Sequence, residues 1–223
     1  IPACYEGLEG LTVNISGGTL TLRSDDDGIN AAATNTDGPK GPLINPGLQV
    51  SISGGLIYVS ADGDGIDSNG SVTMSGGELY ISGSLSSSYG ALDYDSSFAM
   101  SGGVLAAAGA TGMAQTPGLN STQPSVIVYF SQAQTAGKTY WLTNASGTVL
   151  LSVTPDKDFQ CIVLSVPELS AGSGYALYES SGGTMANATL LYDFTISGII
   201  TSVGGTDQTR QDSWAQPPQQ RRP

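Results

Sequence analysis

The chain is 223 residues long and only 12% charged, yet seven basic residues face nineteen acidic ones and leave a net charge of −12. That length accommodates one substantial core, and the acidity excludes a nucleic-acid partner, whose phosphates demand basic side chains. Histidine is absent, which removes Ser-His-Asp and Cys-His catalysis, the HExxH zinc site and any imidazole proton shuttle.

Glycine supplies 31 residues without an every-third-residue rule, so tight turns explain it better than collagen. No apolar run approaches the ~18 residues of a membrane helix, and no membrane insertion is expected. The chain opens at Ile1 with neither a start Met nor a signal peptide, which reads as a processed or truncated chain. Cys4 and Cys161 are too few for a disulfide framework or a zinc cage; one long-range bridge and two idle thiols both stay open.

Two repeats run in phase through the first half. The first is Glu6-Gly7-Leu8-Glu9, Asp27-Gly28-Ile29-Asn30, Asp64-Gly65-Ile66-Asp67 and Gly90-Ala91-Leu92-Asp93, whose apolar members are 21, 37 and 26 residues apart. The second is Ser-Gly-Gly at Ser16, Ser53, Ser75 and Ser101, with spacings of 37, 22 and 26. Alternating apolar residues flank each Ser-Gly-Gly: Val13/Ile15 then Leu20/Leu22, Val50/Ile52 then Ile57/Val59, Val72/Met74 then Leu79/Ile81, and Phe98/Met100 then Leu105/Ala107. Period two means strand, so each glycine pair reads as a corner between two strands. The long spacing holds the Gly/Pro-rich stretch Asn35 to Pro42, expected to bulge as a loop.

Repeats of 21 to 26 residues with short strands, corner glycines and inward apolar columns predict an all-β fold, a parallel β-helix over residues 1–124. Its inward columns are Leu20/Ile57/Leu79/Leu105 and Leu8/Ile29/Ile66/Leu92. An antiparallel sandwich with coincidental turns is the competing architecture.

Stacking the coils sets Glu9, Asn30, Asp67 and Asp93 above one another and Glu6, Asp27 and Asp64 in a neighbouring column, at a rung spacing of ~4.8 Å. At an effective dielectric of ~20, each adjacent pair of unit charges costs on the order of 3 kcal/mol before screening. The first hundred residues hold twelve acidic side chains against Arg23 and Lys40 alone. Bound cations are therefore expected, and all-oxygen ligands select Ca²⁺. Asp26, Asp62, Asn69 and Asp95 flank the columns and complete the expected ligand set. The competing reading is that these Asp and Asn side chains serve turn geometry by accepting backbone N–H bonds.

The strings Cys4-Tyr-Glu-Gly-Leu-Glu-Gly10, Asp26-Asp-Gly-Ile-Asn-Ala31, Gly63-Asp-Gly-Ile-Asp-Ser-Asn-Gly70 and Gly90-Ala-Leu-Asp-Tyr-Asp95, punctuated by Ser-Gly-Gly, also carry a resemblance. Roughly residues 4–125 resemble a bacterial carbohydrate-binding domain family, whose fold is a calcium-binding right-handed parallel β-helix similar to pectate lyases. The resemblance implies a secreted or cell-surface protein that holds cellulose-like or acidic polysaccharide without cleaving it. It places Asp27, Asn30, Asp64, Asp67, Asn69, Asp93 and Asp95 on the family's acidic motifs. The family has further coils before the Glu-Gly-Leu-Glu string.

The outward position five residues after each repeat serine sets Tyr58 beside Tyr80, with Thr21 and Ala106 at the ends. Aromatic faces pack against pyranose CH groups, so the pair is a candidate sugar platform, with Tyr94 as a further candidate and Tyr89, Tyr140 and Trp141 behind it. A plain aromatic ladder supporting the sheet is the alternative. A lyase would need a base beside calcium, and Arg23 and Lys40 are the basic choices in this half; no catalytic residue is assigned. The open end of a β-helix also invites self-assembly, end to end or side by side, into a surface fibre.

From Ser125 the strands lengthen: Val126 to Phe130, Thr139 to Thr143, Thr148 to Val153, Cys161 to Val166, Tyr175 to Glu179, and one or two within Leu190 to Ser202. They are expected to pair antiparallel over residues 125–203, as a cap on the helix rather than a sheet along one face. Residues 204–223 are Gln/Pro/Arg-rich and read as a flexible tail. The whole is expected to be an extracellular, calcium-stabilised, non-catalytic polysaccharide binder.

Overall fold

A computed structural model describes residue 1, residues 4–33 and residues 47–205. The Asn35 to Pro42 loop, Lys40 included, and all but the first two residues of the expected tail lie outside the described residues.

The first half forms two parallel ladders that climb together. Short strands β1 (Leu8–Gly10), β3 (Ile29–Ala31), β5 (Ile66–Ser68) and β7 (Leu92–Tyr94) make one four-stranded sheet in the order β1-β3-β5-β7. Long strands β2 (Thr12–Ser24), β4 (Gln49–Ala61), β6 (Ser71–Ser82) and β8 (Ser97–Gly109) stack beside it, each parallel to the next. The register is the one the repeats require: Leu8, Ile29, Ile66 and Leu92 are successive partners, as are Leu20, Ile57, Leu79 and Leu105. These columns, with Val50/Val72/Phe98 and Ile52/Met74/Met100, fill a continuous core between the two ladders. Branched and long apolar side chains suit it because each one meets its like on the next rung.

The Ser-Gly-Gly motif does not end a strand. Each long strand runs through it without interruption, and the ladder slips register there, as between Ser53 and Leu56. The second glycine takes a positive φ, 101° at Gly55 and 93° at Gly103. The pairing recovers its offset by Leu56 and Glu78, so no residue is inserted and the expected corner is a left-handed bend built into one strand and repeated on every rung.

The second half contributes β9 (Ser125–Gln134), β10 (Thr139–Asn144), β11 (Val149–Val153), β12 (Phe159–Ser165), β13 (Gly174–Ser180), β14 (Thr189–Thr195) and β15 (Ile200–Val203), with one 3₁₀ turn at Met185–Asn187. Strand β12 pairs antiparallel with β8, β9 pairs antiparallel with β12, and β15 lies parallel to β9, which extends the long ladder to seven strands in the order β15-β9-β12-β8-β6-β4-β2. Strands β11-β10-β13-β14 form a separate antiparallel sheet.

The protein is thus all-β, with one parallel sheet, one mixed sheet and one antiparallel sheet, and these close no complete solenoid among the described residues. The expectation of a cap was half of the arrangement. Strand β12 does cap the β8 edge, but β10, β11, β13 and β14 also lie over the outer face, where Ala106, Ala108, Val126, Val128, Ile162 and Leu164 meet Tyr140, Leu142, Leu151, Val153 and Leu177 in a second core. Small alanines at the outward positions of β8 let that sheet approach closely. Cys4 and Cys161 are both free; the buried Cys161 thiol donates to the Ala110 carbonyl at 3.2 Å, and burial pushes its pKa up to about 12.

Candidate functional site

Two regions carry chemistry, one on each ladder. The first is the acidic column along β1, β3, β5 and β7. Glu9, Asn30, Asp67 and Asp93 are successive parallel partners, so these side chains do stack. In the turn just before them, the Asp64 amide donates to Asp27 Oδ1 at 2.8 Å and the Gly90 amide donates to Asp64 Oδ1 at 2.5 Å. Asp27 and Asp64 therefore tie each rung to the one above, which is the turn-geometry role for those two residues. Burial is the main cause that pushes the carboxyls of Glu6, Asp27 and Asp93 up, and it carries Asp64 and Asp67 up to about 7; neighbouring carboxylates push in the same direction.

Two oxygens in this region are buried and accept no hydrogen bond: Glu6 Oε2 and Asn30 Oδ1. Asn30 as a residue is 92% buried, being 8% exposed. A buried acceptor without a partner is costly, which sets these two oxygens apart from the other acceptors of the column. Among the described residues, however, no three acidic or cysteine side chains are gathered so as to hold an ion by themselves.

The flanking residues divide. Asp26 is half-buried, and its main chain bonds Tyr5 and Gly63; Asn69 is half-buried with its amide on the Ala31 carbonyl. Glu9, Asp62 and Asp95 are exposed. Asp62 is taken up by an ion pair with Lys157. The counter-charges also differ from the local ones expected, because Arg23 pairs with Asp156 at 3.6 Å rather than with Asp25 to Asp27.

The second region is a groove of about 430 Å³ on the outer face of the long ladder, within the range of about 300–1,000 Å³ typical of ligand pockets. One wall is the pleated face of β2, β4 and β6, presenting Thr21, Arg23, Tyr58, Ser60, Tyr80 and Ser82. The other is β11 and the turn after it, presenting Ser152, Thr154 and Asp156. That turn is fastened to the ladder by the Arg23–Asp156 and Lys157–Asp62 pairs and by the Asp156 amide donating to Ser82 Oγ at 3.0 Å.

Tyr58 and Tyr80 are adjacent rungs as expected, but their rings stack on each other, centroids 5.2 Å apart and planes 16° from parallel. They form no flat two-ring platform. Tyr80 is half-buried against the second core and its hydroxyl donates to Glu78 Oε2 at 2.8 Å. Tyr58 is 44% exposed, and its other neighbour along the ladder is the short Thr21, which leaves that ring face open.

The remaining aromatic candidates lie elsewhere. Tyr94 packs edge-on against Phe98 and its hydroxyl donates to the Thr116 carbonyl at 2.8 Å, while Tyr140 and Trp141 are buried in the second half. Sequence reasoning missed Ser152, Thr154 and Asp156, because no local pattern announces that a turn more than seventy residues downstream of Ser82 returns to it.

The model of a family described as "carbohydrate-binding domain-containing protein" matches residues 6–90, a stretch that holds the first three rungs of the acidic column and both stacked tyrosines. No curated protein and no solved structure matches the chain.

Proposed function

We propose that this protein binds polysaccharide outside the cell without cleaving it, on a parallel β-helix whose acidic column is neutralised by calcium. The family match over residues 6–90 carries the carbohydrate part of this reading. The two ladders, stacked rung on rung in parallel register, support the β-helix.

Calcium rests on the donor chemistry. The column offers hard oxygens only, two of them buried and unpartnered at Glu6 and Asn30, in a setting where burial and mutual repulsion raise the carboxyl pKa values. Glu6, Asp27, Asn30 and Asp67 are the side chains that would hold an ion, with backbone carbonyls and water supplying the remaining positions. When bound, the ion supplies positive charge that cancels the stacked carboxylates; the chain's own residues keep the rungs in register through the Asp27 and Asp64 amide bonds.

The reading is non-catalytic because the strongest carboxylate candidates serve the backbone and the one described arginine of the ladder half is paired with Asp156. The test combines two measurements. Thermal unfolding with and without a calcium chelator is expected to show a fall in Tm on chelation that calcium, but not magnesium, restores. Pull-down on insoluble cellulose and on pectin is expected to retain the protein without release of soluble or unsaturated sugars. Indifference to chelator removes the metal, and failure on every glycan removes the binding role.

A further inference from the structure

We propose that the groove between the two halves is the glycan site, and that it selects a neutral pyranose chain over a polyuronate. This rests on the polysaccharide-binding reading and adds the place and the charge class. One wall of the groove, with Ser152, Thr154 and Asp156, lies outside the residues 6–90 that match the family model, so the site depends on the way this chain's second half folds back.

The open face of Tyr58 above Thr21 takes the apolar CH face of one sugar ring. Tyr80 backs it from behind and is itself fixed by Glu78, so the platform is held rigid before the ligand arrives. Hydroxyls at the ring's rim meet both kinds of partner: Arg23 donates, Asp156 accepts, and Ser60 and Ser152 do either, while Thr154 shares its hydroxyl with Thr139 Oγ1 at 2.8 Å. Among the described residues strand β11 is the edge of its sheet, with β10 as its one strand partner, so its outer side offers backbone N–H and C=O groups as well.

The charge selection follows from the same residues. Arg23 and Asp156 are the groove's charged lining, and they pair with each other, leaving it formally neutral. Their side chains are 67% and 43% exposed and 3.6 Å apart, a weak pair that hydroxyls can interleave without isolating either charge. A uronate carboxylate, by contrast, must displace Asp156 from Arg23 and then sit beside it, on a chain of net charge −12.

The experiment is calorimetric titration of the full chain, in calcium, with cellohexaose and with hexagalacturonic acid. Wild type is expected to bind cellohexaose at least tenfold more tightly than hexagalacturonic acid. Tyr58→Ala, which removes the stacking face, and Ser152→Trp, which fills the groove from the exposed side of β11, are each expected to weaken cellohexaose at least tenfold with unchanged far-ultraviolet circular dichroism and a cooperative thermal transition. Asp156→Asn is expected to narrow the gap by improving hexagalacturonic acid. Cellohexaose binding that survives both Tyr58→Ala and Ser152→Trp overturns the groove and leaves the polysaccharide reading standing. Tighter binding of hexagalacturonic acid by wild type overturns the charge selection. Loss of all binding, to either oligomer and to insoluble cellulose and pectin, takes down the polysaccharide reading and the groove with it.

Discussion

At the scale of single residues, the acidic column sets stability against pH. Asp64 and Asp67 hold their protons up to about 7 in the folded chain, against an ordinary value of 3.8, because burial and neighbouring carboxylates penalise the charge. Between those two values the folded state binds more protons than the unfolded state, so stability is full below about 4 and is lost as the pH rises through 7. One pKa unit corresponds to about 1.4 kcal/mol, so the effect is on the order of a few kcal/mol. Without calcium, the protein is expected to melt at higher temperature at pH 5 than at pH 8, measured by circular dichroism in chelator. Asp67→Asn, which removes a charge that no described hydrogen bond requires, is expected to raise the metal-free Tm at pH 8 and to flatten the profile. A metal-free profile that rises toward pH 8 would mean that these carboxylates are not strained by burial.

At the scale of the element, the rung is held by what is absent as much as by what is present. A methyl at Gly65 would strike the Ala91 carbonyl of the next rung and the Ile81 side chain, and one at Gly28 would lie 2.7 Å from the Gly65 carbonyl. These glycines let backbone pass over backbone in the turn that leads into each short strand. Gly65→Ala is expected to cost about 1–3 kcal/mol in urea unfolding, since the rung itself must shift. Gly17→Ala is the control: nothing lies within 4 Å of the added methyl and the backbone is not left-handed, so little change is expected. Equal losses at the two positions would deny the close approach. This local periodicity is why the stack was legible in the sequence: Gly28-Ile29-Asn30 and Gly65-Ile66-Asp67 repeat because each rung meets the same neighbour. The Ser-Gly-Gly corner was placed correctly but read as a break between two strands, because a strand break and a left-handed residue inside a strand both call for glycine. The groove was half legible: Tyr58 and Tyr80 follow from the repeat, whereas Asp156 reaches Arg23 through tertiary folding that leaves no spacing to read.

At the scale of the whole molecule, strand β8 belongs to both cores. Leu105 and Ala107 point into the core between the ladders, Ala106 and Ala108 point into the second, and the strand's far edge is hydrogen-bonded to β12 over Leu105 to Gly109. β12 repeats the division, with Cys161 and Val163 in the first core and Ile162 and Leu164 in the second. Two strands shared this way leave no seam along which one half can open while the other keeps its packing, so the halves are expected to unfold together. Leu164→Ala deletes a side chain from the second core alone, and a large-to-small change of this kind costs about 2–5 kcal/mol. The expected result is a lower Tm in a single calorimetric transition, with amide exchange accelerated equally in β4 and β6, which β8 separates from β12 in the sheet. Two resolved transitions, with β4 and β6 still protected after the second half has melted, would show that the ladders stand alone. The groove would then be a contact between independent bodies rather than a cleft fixed by one fold, and its preformed wall at β11 could not be what orients a sugar.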